Sequence, residues 1–266
     1  MPEVSAMKDQ DTDRLAGKTA AQPIIRLSNI TKRFGGIVAL TDVSVDIHPG
    51  EVHAILGENG AGKSTLMNII SGVFRPTSGT IEFNGEVIAA MTPERAAALG
   101  ISISFQHPSV LDDLSVLENL RVALPPRVFE TENPAETARA MLDDVGLHVA
   151  LNARADSLTV AQKHLLEIAK ALATRPPVLI LDEPTAALDQ DATEMLFARI
   201  RNVVANGTAV IYITHRLAEL RQIAHRVTVL RDGRLEGGAL VSDVTDHDLL
   251  GMIVGRSLAS AFPPKC

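Results

Sequence analysis

The sequence predicts an α/β protein: a mainly parallel sheet flanked by helices, with antiparallel strands at its N-terminal end and an inserted helical subdomain. Three observations lead there. Short apolar runs at residues 52–56, 178–181 and 209–214 have the length and β-branched content of strands buried on both faces. Stretches of helical spacing alternate with them, the pattern of strand-helix-strand units. Between residues 115 and 147 the sheet signal disappears, and helical pieces are separated by Pro125-Pro126 and Pro134.

Composition bounds the possibilities. A chain of 266 residues, 46% hydrophobic and 21% charged, holds one large α/β domain or two small ones around a sizeable core. A formal net charge of -7 argues against a nucleic-acid partner held by counterion release. The single cysteine, Cys266, excludes a disulfide framework and a cysteine metal site and fits a reducing, cytoplasmic setting. Residues 1–23 are polar and aperiodic, read as a mobile N-terminal extension without a secretory h-region. No apolar run reaches the roughly 18 residues of a membrane helix, so work at a membrane would need other chains to cross it.

Taken in order, residues 24–27 and 43–47 read as strands flanking a turn at residues 32–36, which carries the exposed aromatic Phe34 beside Gly35-Gly36. Pro49-Gly50 punctuates the chain before the strand at residues 52–56. Asn84-Gly85, between alternating residues, signals a hairpin. Thr92-Pro93 opens a short Ala-rich helix that ends at Gly100, and an alternating strand at residues 101–105 delivers Gln106. Thr159 is placed to cap a helix whose apolar face is Leu165, Leu166, Ala169 and Leu172. After the strand at residues 178–181, a helix from about Gln190 to Ala205 stops at Asn206-Gly207. A strand at residues 209–214 delivers His215, and a helix, a strand, a turn at Asp232-Gly233 and a last helix near residues 246–254 complete the pattern.

The chemistry concentrates at strand ends. Gly57-Glu58-Asn59-Gly60-Ala61-Gly62-Lys63-Ser64-Thr65 fits the phosphate-binding loop and sits between a strand and a helix, the context that motif requires. Its glycines let successive N–H groups curl inward as a nest for phosphate oxygens, and the next helix adds its N-terminal partial charge. Lys63 supplies a full charge for the β- and γ-phosphates and Ser64 a hydroxyl for Mg²⁺, so the chain is expected to bind a nucleoside triphosphate, with ATP the candidate. Asp182 and Glu183 are adjacent carboxylates with different roles open to them: Asp182 to hold Mg²⁺, Glu183 to act as general base on a water. Outside this context they would be two acids at an exposed turn. His215 is a candidate γ-phosphate contact or proton-network member, and Gln106 a weaker candidate near the metal. Phe34 is either ordinary core or, in a chain with 3% aromatics, a stacking platform for adenine.

Together these residues resemble the ATP-binding subunit of an ATP-binding-cassette transporter, over residues from about 24 to 256. That family's order is adenine platform, phosphate loop, Gln loop, signature, second acidic motif, D-loop and switch histidine. Here these stand as Phe34, the loop ending at Thr65, Gln106, Leu158-Thr159-Val160-Ala161-Gln162, the run ending Asp182-Glu183-Pro184, Ala187-Leu188-Asp189, and His215. The resemblance implies nucleotide contacts from Phe34, Gly57, Asn59, Gly60, Ala61, Gly62, Lys63, Ser64 and Thr65. It adds Thr159, Ala161 and Gln162 acting on a partner's nucleotide in a homodimer, and Asp189 as a further nucleotide-binding residue. Catalysis falls to Glu183, His215 and Gln106, and metal holding to Ser64, Gln106 and Asp182.

Finer likenesses, among them Thr214-His215-Arg216-Leu217, Val229-Leu230-Arg231-Asp232-Gly233 and Ile253-Val254-Gly255-Arg256, are to the bacterial monosaccharide importers. They imply a peripheral subunit at the cytoplasmic face of the cell membrane. Its permease partners would be met near Gln106 and the helical subdomain, and a periplasmic solute-binding protein would belong to the same system. The implied layout is an ATP-binding domain over residues 24–256, with a helical subdomain at about 107–173 and a tail at 257–266. Two departures stand out. Val160 and Ala161 replace the glycines of the usual Leu-Ser-Gly-Gly-Gln signature, which a helix N-terminus with negative φ tolerates. His107 stands where sugar-importer relatives often carry Glu. The alternative reading is an ATPase of the same superfamily acting on DNA, the ribosome or cluster assembly. Against it stand the negative charge and the absence of a long coiled-coil insertion or a tandem cassette. A non-hydrolysing binder would need a degenerate site, whereas Lys63, Glu183 and His215 are all present.

Overall fold

The computed structural model describes residues 22–105 and 108–255. It opens with a hairpin of β1 (Ile25–Phe34) and β2 (Ile37–Ile47). Here the structure corrects the expected turn. Lys32, Arg33 and Phe34 extend β1, Phe34 pairs with Ile37, and Gly35-Gly36 alone reverse the chain, Gly35 at φ 55°. β1 is also longer than the apolar run at its start, because irregular register near Asn29 (φ 54°) is braced by an Asn29 Nδ2 bond to Asp42 Oδ1 at 2.6 Å.

β3 (Val52–Leu56) is buried at every residue and leads through the phosphate loop into α1 (Lys63–Ile70). β4 (Ser78–Phe83) and β5 (Glu86–Val87) form the hairpin signalled by Asn84-Gly85, both with positive φ. Thr92 caps α2 (Pro93–Ala98), and β6 (Ile101–Ser104) follows. The helical region comprises α3 (Val116–Ala123), α4 (Pro134–Asp143) and α5 (Val160–Ala173). Pro134 occupies the first turn of α4, where its missing N–H costs nothing. Then come β7 (Val178–Asp182), α6 (Gln190–Ala205), β8 (Ala209–Thr214), α7 (Leu217–Ile223), β9 (Arg226–Arg231), β10 (Arg234–Leu240) and α8 (Asp246–Val254).

The strands form two sheets. One is antiparallel, in the order β2-β1-β4-β5; the other runs β10-β9-β3-β8-β7-β6, parallel except for β10. Its central strands β3, β7 and β8 are buried on both faces, which is why they are mostly apolar without alternation, whereas the edge strand β6 alternates Ile and Ser. Val178, Ile180, Ile211 and Ile213 pack toward β1, β2 and α1. Leu179, Leu181, Val210 and Tyr212 pack toward α3, α4, α5 and α6. A third cluster joins Ala54 and Leu56 to β9, α7 and α8. No helix among the described residues is long and apolar enough to cross a membrane.

Candidate functional site

The loop between β3 and α1 depends on two glycines. A Cβ at Gly57 would lie 2.3 Å from the carbonyl oxygen of Leu230, so only glycine lets the loop pass β9. Gly62 caps α1 in the left-handed region at φ 105°, with Leu40 Cδ2 2.7 Å from where its Cβ would be. Gly233 N donates to Ala61 O at 3.1 Å, and Thr41 N donates to Gly233 O at 2.7 Å, so the β9–β10 turn and β2 clamp the loop. Lys63 curls back over it, Nζ donating to Gly57 O at 2.7 Å and Glu58 O at 2.9 Å. Burial lowers the Lys63 pKa, and the carboxylates of Glu183 and Asp182 act the other way. The first turn of α1 leaves backbone N–H groups free to receive an anion.

The loop faces a cleft of about 650 Å³ in which Asn59, Gly60, Gly62, Lys63, Ser64 and Thr65 meet Asp182 and Glu183. These acids come from β7, two strands from β3 across β8. Burial, then the nearby Glu183 carboxylate, raises the Asp182 pKa, while Lys63 lowers it. At Glu183 the backbone leaves the strand with φ 48°, a left-handed conformation that costs a non-glycine residue about 1–3 kcal/mol. A bond from Glu183 N to Ile213 O at 3.1 Å holds it there. His215, exposed at the end of β8, places Nδ1 3.0 Å from Glu183 Oε1. It also lines an adjoining cleft with Gly57, Glu58 and Asn59, walled by Leu217, Leu250, Ile253 and Val254.

Other predicted residues lie apart from this cleft. Phe34 sits at the tip of the hairpin, 41% exposed, edge-on to Phe74 at 5.1 Å and with Lys32 Nζ 4.8 Å from its centroid. Thr159 caps α5, accepting from Gln162 N at 3.2 Å while Gln162 Oε1 accepts from Thr159 N at 2.9 Å. Ala161 is in that first turn and Val160 beside it is exposed. Asp189 caps α6 through Ala192 N at 2.9 Å. Gln106 and His107 lie outside the described residues.

The structure adds residues that sequence reasoning missed. Ile37, Val38 and Ala39 of β2 and Asp232-Gly233 line the cleft. The apolar Ile37-Val38 pair after two glycines was the available signal. Ile37 is 71% exposed although its strand is paired with β1.

The family model described as ABC transporter matches residues 40–186. Ribose import ATP-binding protein RbsA 1 of Rubrobacter xylanophilus is 43% identical over 92% of this chain and 49% of its own length. D-allose import ATP-binding protein AlsA of Escherichia coli is 41% identical over 91% of this chain and 49% of its own. The chain therefore spans about half the length of the curated relatives it matches. A dimeric post-hydrolysis ATP-binding cassette solved with ADP and Pi matches with a TM-score of 0.73 at 28% identity, covering 82% of this chain and 98% of that one. A nucleotide-free cassette from an ABC transporter matches with a TM-score of 0.75 at 28% identity, covering 87% and 98%.

Proposed function

The chain belongs to the ABC transporter family, and on that premise we propose that it is the ATP-hydrolysing subunit of an importer that drives sugar uptake through separate permease subunits. One observation carries the proposal. The phosphate loop, Asp182 and Glu183 open onto a single cleft although they are far apart in the chain, and His215 touches Glu183 at its edge. In this reading the loop N–H groups and Lys63 hold the β- and γ-phosphates of ATP. Glu183 takes a proton from the attacking water, and His215 orients that carboxylate. Phe34 and the exposed apolar tip at Ile37-Val38 offer a surface to the adenine ring.

The residues present fit Mg²⁺. The Ser64 hydroxyl and the Asp182 carboxylate line the same cleft, and Asp182 is a half-buried acid whose ionised form is penalised by burial and by Glu183. A divalent cation would relieve that penalty, and when bound it would neutralise charge on the phosphate oxygens.

The helix N-terminus at Thr159, Ala161 and Gln162, with Asp189, serves the nucleotide of a second copy in a homodimer. Its position away from the chain's own cleft supports this role. The same proposal takes residues 24–256 as the ATP-binding domain, with permease contacts near Gln106 and the helical subdomain at about 107–173. It sets the protein at the cytoplasmic face of the cell membrane, in a system with a periplasmic solute-binding protein. The sugar class is supported by the names of the ribose and allose import relatives.

Two measurements test the proposal. MgATP turnover by the full chain should be lost in Lys63→Ala, and undiminished turnover there would contradict the phosphate-loop assignment. Disruption of the coding sequence in its source organism should abolish uptake of at least one labelled pentose or hexose. Unchanged uptake of all of them would exclude the sugar assignment.

A further inference from the structure

Behind the cleft lies a buried carboxylate that the proposed chemistry does not use. Glu219, in the first turn of α7, is 6% exposed and does not line the cleft. Four donors converge on its two oxygens. Oε1 accepts from Thr185 Oγ1 at 2.6 Å and from Arg216 Nη1 at 3.1 Å. Oε2 accepts from the Tyr212 hydroxyl at 2.8 Å and from Thr214 Oγ1 at 3.1 Å. Thr214 Oγ1 in turn accepts from the backbone N–H of Arg216 at 3.0 Å, closing a ring of bonds around residue 215.

The chemistry of this set is one-directional. An ionised carboxylate only accepts, and each hydroxyl has one proton to give, so all four contacts are satisfied together only by the anion. Tyr212 is held in its protonated form, its pKa raised by burial and then by the Glu219 charge. A buried charge is costly, and an apolar side chain of similar size is often at least as stabilising, so stability alone is a weak reason for it. Its partners supply a better one. Thr185 is two residues past Glu183, whereas Thr214 and Arg216 flank His215 on both sides. The same two loops meet on the cleft side through the 3.0 Å contact of Glu183 with His215.

We infer that Glu219 is a positioning residue that ties the loop carrying Glu183 to the loop carrying His215 and so fixes the geometry of that pair. The inference rests on the reading of Glu183 and His215 as the groups that act on ATP. The main variant is Glu219→Gln, which keeps the shape but replaces one acceptor oxygen by a donor facing donors. Its kcat for ATP should fall about tenfold, less than the loss of a general base itself. KM and the affinity for ADP should stay within about twofold, because the phosphate loop makes no bond to Glu219. In a His215→Ala background, Glu219→Gln should lower kcat no further.

Amide hydrogen exchange of the ligand-free chain should rise together in residues 183–189 and 214–217. Tyr212→Phe removes one of the four donors and keeps the ring against Phe197. It should show a smaller loss of the same kind, and it carries the test if Glu219→Gln does not fold. Normal kcat in both variants, or losses that add fully to that of His215→Ala, would overturn the inference while leaving the ATPase reading intact. Undiminished turnover in His215→Ala alone would overturn that reading of His215 and the inference with it.

Discussion

Glu183 and His215 lie 32 positions apart in sequence and meet through a 3.0 Å contact between Oε1 and Nδ1. The meeting depends on two adjacent strands, because β7 and β8 pair in parallel and release both residues at the same edge. In parallel α/β sheets that edge is where ligands bind. The left-handed turn at Glu183 then directs its side chain away from the course of the strand.

Glu183→Gln is expected to bind ATP yet hydrolyse it at least roughly a hundredfold more slowly, the low end of what a general base contributes. ATP should shift this variant toward dimers on gel filtration, because hydrolysis no longer dissolves them. Near-normal turnover would remove Glu183 from the role of base.

A mixing experiment addresses the proposed homodimer. Thr159→Arg should fail alone, its bulk blocking the partner's phosphate, and Lys63→Ala should fail alone for want of charge. Mixed, they form one intact site from the phosphate loop of the first and the α5 N-terminus of the second, and part of the ATPase activity should return. Activity strictly linear in protein concentration to high dilution, with an active isolated monomer, would refute the shared site.

Asp182 links the site to stability. Its folded pKa is raised, chiefly by burial, so the folded state favours the protonated form. The ionised form therefore costs stability above that pKa, and the cost disappears as pH falls below the ordinary carboxylate value. Asp182→Asn should melt at a higher temperature than the wild type at pH 7 without nucleotide. That advantage should shrink toward pH 4, and the variant should lose Mg²⁺-dependent turnover. An Asn variant no more stable than wild type at pH 7 would count against the burial cost.

His53 gives the opposite dependence. It is buried in β3 with Nε2 2.8 Å from Thr228 Oγ1, and its pKa is lowered to about 3, by burial first and then by Arg226 and His48, with Asp46 opposing. The unfolded chain takes up this proton near the ordinary histidine value, whereas the folded chain does not until about 3. Stability is thus lost as pH falls through that window, at up to about 1.4 kcal/mol per pH unit. Denaturant melts of His53→Leu should show a shallower acid limb than wild type, whatever offset exists at pH 7. Parallel limbs would mean that another group dominates.

Much of this was legible because its causes are local. The uniformly buried β3, the capped α6 and α8 and the Asn84-Gly85 hairpin follow from burial and turn chemistry within a few residues. The phosphate loop was legible for the same reason. The place of Phe34 was misread because two glycines suffice to reverse the chain, leaving the preceding residues free to pair. The cleft wall at Ile37 and Val38 left only an apolar pair after two glycines as its trace, and the donors around Glu219 left none, since strand order and not sequence distance brings Thr185 to α7. Gln106 lies outside the described residues, so its position has no structural counterpart here.

The parity of β7 has a further consequence. Leu179 and Leu181 belong to one core while Val178 and Ile180 belong to the other, so the strand is gripped from both sides in a single register. Deleting one residue from it would exchange the two sets and carry each side chain to the opposite face. The point at which Asp182 and Glu183 emerge beside the phosphate loop is therefore metered along β7 by the fit of apolar side chains, and the polar bonds of Glu183 N and Thr185 hold the loop beyond that point. The spacing of the cleft's acids is kept by a hydrophobic ruler. Replacing the cleft's acids would leave that register in place, whereas moving them along the chain would mean rebuilding both cores.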